Sequence, residues 1–227
     1  RFRNYLVLFA MRRVEQLDVA EDIVQEVFIA VWERDARYPT YNAFRSFLYN
    51  SVKNAGLNHL KQKDVTISFD PNLRPTLWSN EREMINVVNQ FAEKADWLLP
   101  GIQEGEILTG YSNKEDIASY YLERGVKFVV IKLGEEGAYL ATENERKQVP
   151  GFTVTEVVDT VGAGDGFAVG VISALLEGLS YEEAVVRGNA IGAKAVMSSG
   201  DHEGFPNMVE LEHFMKKGVL QSCLNYK

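Results

Sequence analysis

The stretch Asp159-Thr160-Val161-Gly162-Ala163-Gly164-Asp165-Gly166-Phe167 combines a base with the residue types that hold an anion. Two glycines one residue apart permit a tight turn, and the apolar run after them opens a helix whose first amides lack partners. Such a helix start offers N–H donors and the positive end of a dipole to an anion, usually a phosphate. A carboxylate inside the turn opposes simple anion binding. It makes chemical sense if Asp165 takes the proton of a hydroxyl attacking phosphorus while amides stabilise the growing charge. The plainer alternative is a glycine-rich turn in which Asp165 only caps the helix.

The surrounding elements supply a frame for that turn. Residues 65–69 read as a short β-branched strand, 81–95 as a helix, and 97–99 as a strand stopped by Pro100. Ser112 to Glu115 forms a capping box opening a helix to Arg124, which Gly125 ends. Lys127 to Leu133 has the unbroken apolar character of a buried strand, and Gly134-Glu135-Glu136-Gly137 turns the chain into Ala138–Ala141. A strand at 154–158, a helix over about 162–177 and a helix from the Ser180–Glu183 capping box toward Ser198 complete the pattern. Strands separated by helices of this length predict an α/β fold: three layers, a mostly parallel sheet with helices on both faces.

The glycine turn and the Lys132-Leu133-Gly134-Glu135-Glu136-Gly137 phrase upstream of it together resemble the ribokinase-like carbohydrate kinases, whose signature is D-[ST]-x-G-A-G-D-x-F. The resemblance covers residues 64–217 and implies transfer of the ATP γ-phosphate to a sugar hydroxyl, with Mg2+ accompanying ATP. By that resemblance Asp165 is the base, and Gly162, Ala163 and Gly164 form the anion hole. Lys132, Gly134, Glu135, Gly137, Asn189 and Ala193 are the expected nucleotide residues. Phe69-Asp70-Pro71-Asn72-Leu73-Arg74-Pro75 is similar to the matching stretch of 2-keto-3-deoxygluconate kinases, which makes Arg74 the expected ligand of a sugar-acid carboxylate. The alternative is that Arg74 pairs with Asp70 or another local acid. Asp201, in Gly200-Asp201-His202-Glu203-Gly204, is similarly placed toward the substrate. The family's Asn-x-x-Glu stands here as Gly101-Ile102-Gln103-Glu104, leaving Glu104 as the metal candidate.

Residues 1–63 have a different character. They carry 10 Lys+Arg against 7 Asp+Glu and one glycine, Gly56, whereas the chain as a whole has a net charge of −8 and 18 glycines. Apolar residues at helical spacing predict helices at about 2–16, 19–35 and 41–61, an all-α three-helix segment whose aromatics form a core. The phrase Ala20-Glu21-Asp22-Ile23-Val24-Gln25-Glu26-Val27-Phe28 to Trp32 also resembles region 2 of extracytoplasmic-function sigma factors, over residues 1–62. That resemblance implies that Asp22, Gln25 and Glu26 face RNA polymerase core, with Lys53, Asn54 and Lys61 near DNA. A net charge of +3 is a weak footprint for DNA binding, and no second promoter-reading helix-turn-helix follows. The division expected is 1–63 helical and 64–227 kinase-like, a hybrid whose kinase part lacks its N-terminal half. Nucleotide binding is then more secure than turnover, the alternatives being a polymerase-binding module or a non-catalytic hybrid. A truncated sheet would expose an edge through which copies of the chain pair.

Composition sets the remaining bounds. With 227 residues, 46% hydrophobic and 25% charged, the chain can bury a substantial core. A lone Cys223 excludes an intramolecular disulfide and a multi-thiolate metal site, and His59, His202 and His213 show no ligand spacing. No apolar run reaches membrane-spanning length, and Arg1-Phe2-Arg3 opens no signal peptide. A cytoplasmic protein binding ATP and a small sugar acid, with no membrane partner, is the expectation.

Overall fold

A computed structural model describes residues 2–33, 38, 40–63, 65–200 and 204–224, with side chains to residue 216. The chain divides into two compact units, one of residues 1–67 and 80–95 and the other of 68–79 and 96–227.

The first unit is helical. α1 (Phe2–Val14), α2 (Leu17–Glu33) and α3 (Tyr41–Gln62) lie at the predicted positions. Leu6, Ala10, Ala20, Val24, Leu48 and Val52 are fully or almost fully buried where the three meet. Thr40 caps α3 by accepting the Ala43 N–H at 3.1 Å. The unit is larger than residues 1–63, because α4 (Glu81–Ala92) belongs to it. Lys53 sits 3.6 Å from the Phe91 ring centre, and Asn54 accepts from the Lys94 ammonium at 2.8 Å. Two of the three residues that the sigma-like reading placed near DNA are thus engaged, Lys53 against α4 and Asn54 with Lys94 just beyond it. Asp22, Gln25 and Glu26 are exposed on α2.

The second unit is the three-layer α/β body. Its sheet runs β1 (Ser68–Phe69), β2 (Trp97–Leu98), β3 (Phe128–Lys132), β4 (Ala138–Ala141) and β5 (Arg146–Val149), in that spatial order. β1, β2 and β3 are parallel, and β3, β4 and β5 pair antiparallel. β3 is apolar on both faces because both are covered. Phe128 and Val130 join Leu140, Phe167, Val171 and Val185 in the core under α7 (Ala163–Leu176) and α8 (Tyr181–Ala195). α5 (Ile102–Thr109) and α6 (Lys114–Leu122) also pack on β3, burying Ile117, Ala118 and Tyr121. α9 (Met208–Leu224) follows on α8.

Two expectations are corrected, and one strand went unpredicted. The strand predicted at 154–158 does not form: the Val158 N–H donates to the carbonyl of Val196 at 2.8 Å, so its β-branched residues serve an irregular segment. The strand at 65–69 contracts to its last two residues. β5 was invisible to apolar patterning because Arg146, Lys147 and Gln148 are all exposed, as suits an edge strand. No described helix is long and apolar enough to cross a membrane.

Candidate active site

The glycine turn forms as its residue types require. Gly162 adopts φ +77°, a conformation that side chains disfavour, and α7 begins at Ala163. Asp159 prepares the turn by accepting the Val161 N–H at 3.0 Å. The first helical bond runs from the Gly166 N–H to the Gly162 carbonyl at 2.8 Å. Of the three expected anion-hole amides, Ala163 makes a long 3.4 Å bond to the Thr160 carbonyl. Among the described residues no hydrogen bond engages the amides of Gly162 and Gly164. Asp165 is not a cap: the capping position belongs to Gly162, and no side chain closes the first turn. Its carboxylate is exposed and, among the described residues, makes no ion pair or hydrogen bond.

Next to this turn lies a cavity of about 570 Å3. Lys132, Gly134, Glu135 and Gly137 line it from the β3–β4 connection, Ala163 and Gly164 from the turn, and Asn189 and Ala193 from α8. One hollow therefore gathers all six residues expected at the nucleotide. Asn189 is 7% exposed and holds the wall together: its side-chain amide donates to the carbonyls of Val149 at 3.2 Å and Pro150 at 3.0 Å. Sequence reasoning missed the segment Gly151–Val154 and residues Val157, Thr160, Phe167, Gly192 and Val196, which complete the lining. These positions carry no distinctive chemistry; Gly151–Val154 come shortly after β5, and the others lie on or beside α7 and α8.

Lys132 reaches the cavity through strand periodicity. It continues the face of Phe128 and Val130, the α7 side of the sheet, at the strand's C-terminal end. Its ammonium lies 2.6 Å from Asp70 Oδ2, the side chains being 19% and 22% exposed. Burial pushes the Asp70 carboxyl above its ordinary value, with Lys132 pulling it back and nearby Glu104 adding to the rise. Among the described residues Arg74 makes no ion pair with Asp70. Its side chain is exposed and donates to the neighbouring Leu73 carbonyl at 3.1 Å. Asp201 lies outside the described residues.

Glu104 has a backbone role. One oxygen accepts the Leu73 N–H at 2.7 Å and the other the Gly101 N–H at 2.8 Å, which pins the segment after β1 to the start of α5. Each oxygen keeps a second lone pair. Among the described residues no group of three or more acidic, histidine or cysteine side chains could cage a metal. This donor set fits a divalent cation that arrives on phosphate oxygens and takes one or two carboxylates at most.

A sequence profile described as "pfkB family carbohydrate kinase" matches residues 15–208. The chain belongs to the pfkB family of carbohydrate kinases. A 2-dehydro-3-deoxygluconokinase of Bacillus subtilis (strain 168) is 54% identical over 159 residues, 70% of this chain and 49% of that protein. Among solved structures, a PfkB protein from Polaromonas sp. JS666 is 48% identical with a TM-score of 0.61, covering 69% of this chain and 49% of that one. An E. coli structure assigned to ribokinase II, solved with ATP and Mg2+, is 32% identical with a TM-score of 0.69, covering 77% and 56%. The chain spans about half the length of the curated relatives it matches. The family match begins at residue 15 and takes in most of the stretch that resembles a sigma factor. Neither that resemblance nor a hybrid origin gains support from these relatives.

Proposed function

We propose that this chain carries the nucleotide site and the catalytic base of a sugar-acid kinase. The reaction is transfer of the ATP γ-phosphoryl group to a hydroxyl of 2-keto-3-deoxygluconate, also written 2-dehydro-3-deoxygluconate. One observation carries the reading: Asp165, exposed and without a partner among the described residues, directly follows the two turn residues that line the cavity. A carboxylate so placed can accept a proton from a hydroxyl as its oxygen bonds to phosphorus and the bond from phosphorus to the β-phosphate oxygen breaks. The unengaged amides of Gly162 and Gly164 stabilise the charge on the transferring group. Arg74, free of Asp70 and exposed, is available to a sugar-acid carboxylate, for which a guanidinium fork is suited. Mg2+ bound to the phosphates supplies charge neutralisation, with Glu104 the residue that would approach it through its remaining lone pairs. The 54% identity to a 2-dehydro-3-deoxygluconokinase supports the choice of sugar acid.

The test combines binding with turnover. Magnesium-ATP at millimolar concentration raises the melting temperature, and Asp165→Asn keeps that shift while abolishing phosphorylation of 2-keto-3-deoxygluconate. Absence of any shift overturns the nucleotide site, and undiminished turnover in Asp165→Asn overturns the role of the base.

A further inference from the structure

The first turn of α7 is poorly made for a helix that carries a base. Glycine stands at 162, 164 and 166, and among the described residues no side chain caps the turn. Glycine is a poor helix former, and an uncapped first turn frays. A base on that turn needs a fixed position, because a misplacement of about 1 Å costs on the order of 10²-fold in rate. Gly166, buried directly after the exposed Asp165, is where the rest of the chain takes hold. Its N–H closes the turn on the Gly162 carbonyl at 2.8 Å. A Cβ on Gly166 would lie 2.9 Å from Phe205 Cε1, 3.3 Å from Phe205 Cζ and 3.1 Å from Ile191 Cγ2. The edge of the Phe205 ring thus occupies the space that a side chain at 166 would take.

That ring is itself anchored on both sides. Before it, a Cβ on Gly204 would lie 3.0 Å from both the Cα and the carbonyl oxygen of Ala195, so the chain lies flat on the end of α8. After it, the Asn207 N–H donates to Glu210 Oε2 and the Glu210 N–H to Asn207 Oδ1, both at 3.0 Å, a reciprocal cap that opens α9. The ring packs on the cluster of Ala190, Ile191 and Leu211 that joins α8 to α9.

We propose that Phe205 is a positioning residue for the base: pressed on Gly166, it replaces the missing cap with a tertiary contact and holds Asp165 and the turn amides in one arrangement. The inference deepens the kinase reading above and rests on it. Phe205 needs no contact with substrate, since it acts through the backbone of Gly166. The missing side chain at 166 is what admits the ring, so the two positions are specified together.

The experiment uses the full chain and two readouts: amide hydrogen exchange without ligand, and steady-state phosphorylation of 2-keto-3-deoxygluconate by magnesium-ATP. Phe205→Ala speeds exchange over residues 163–168 and leaves residues 171–176 protected. It lowers kcat about 10- to 100-fold with KM for ATP nearly unchanged, a split that loss of stability alone does not produce. Phe205→Leu, which keeps apolar bulk on Gly166, retains most of kcat. Gly166→Ala probes the same contact from the other side, should Phe205→Ala fail to fold: its methyl group meets the ring and kcat falls. In the Phe205→Ala background the same substitution restores part of kcat, because the methyl group fills vacated space and alanine favours the helix. A parent without turnover sinks the kinase reading, and exchange then judges the contact by itself: no change over residues 163–168 in Phe205→Ala overturns it. If the parent turns over and Phe205→Ala keeps kcat, or loses it only in step with the folded fraction, the positioning role falls and the kinase reading stands. Single losses that multiply in the double variant overturn the route through Gly166.

Discussion

The Cβ that Gly137 lacks would fall 2.2 Å from the carbonyl oxygen of Val149 and 2.4 Å from the amide nitrogen of Gly151. Its φ of +92° is also one that side chains avoid. Position 137 therefore admits nothing larger than hydrogen, and the contact seats the loop after β3 against the end of β5 on the cavity wall.

Gly137→Ala is expected to destabilise the α/β unit by about 2 kcal/mol or more, combining backbone strain with a clash against main chain that cannot yield. Hydrogen exchange read by mass spectrometry localises the loss to β3, β4 and β5, and the nucleotide-induced melting shift falls with it. Gly134→Ala is the control: its φ is also positive, but no atom stands within 4 Å of the missing Cβ. It pays the conformational penalty alone and is the milder of the two.

A second prediction concerns how α7 is aimed. A Cβ on Gly170 would lie 2.7 Å from the Gly188 Cα and 2.9 Å from the Arg187 carbonyl oxygen, so α7 and α8 touch backbone to backbone. Gly170→Ala forces the helices apart at a cost of about 1–3 kcal/mol. Because Asp165 sits on the first turn of α7, the displacement also reaches the base. Turnover falls by more than the stability loss explains, which is checked by comparing activity well below the melting temperature.

The helical unit carries a pH signature of its own. Burial lowers the Lys53 ammonium from 10.5 to about 8, with the positive charge of Arg13 adding to the effect. The Phe91 ring beneath it favours the charged form, and burial outweighs that attraction. Between those two values the unfolded chain holds a proton that the folded chain has released, so this lysine makes stability rise as pH rises from about 8 to 10.5. Below about 8 the folded state bears the full penalty. Lys53→Met is accordingly more stable than the parent at pH 7, and the gap closes as pH approaches 10.5. Denaturation of both proteins across that range checks it, and a gap independent of pH would show that packing rather than charge is responsible.

Much of this site was legible because its parts are local. The glycine turn, its left-handed Gly162 and the helix that follows are dictated by nine consecutive residues. The α1–α3 bundle was legible for the same reason, its core residues recurring within single helices. What escaped was non-local. Lys132 and Asp70 are 62 residues apart in sequence. Their pairing follows only from knowing that β1 and β3 flank β2 in one parallel group, which brings strand ends together at a single edge. Arg74 is nearer to Asp70 in the chain and was the alternative partner, yet its guanidinium donates to the Leu73 carbonyl instead. The misread strand at 154–158 shows the converse: β-branched composition describes what a segment tolerates, and the Val196 carbonyl decides what it does.

Asn189 separates two ways in which a residue can belong to a nucleotide site. It was expected at the nucleotide and lines the cavity, yet both bonds from its side-chain nitrogen go to the carbonyls of Val149 and Pro150. If its part is that of a clamp, the nitrogen matters and the oxygen does not. Asn189→Asp removes the donor and keeps an acceptor, and it leaves two carbonyls facing a carboxylate. It is expected to weaken ATP binding at least as much as Asn189→Ala, and to lower stability further than Ala does through repulsion at a buried site. A residue that met the nucleotide through its side-chain oxygen would give the opposite order, with Asp close to the parent and Ala impaired. Titrating both variants with ATP and melting them without ligand decides between the two.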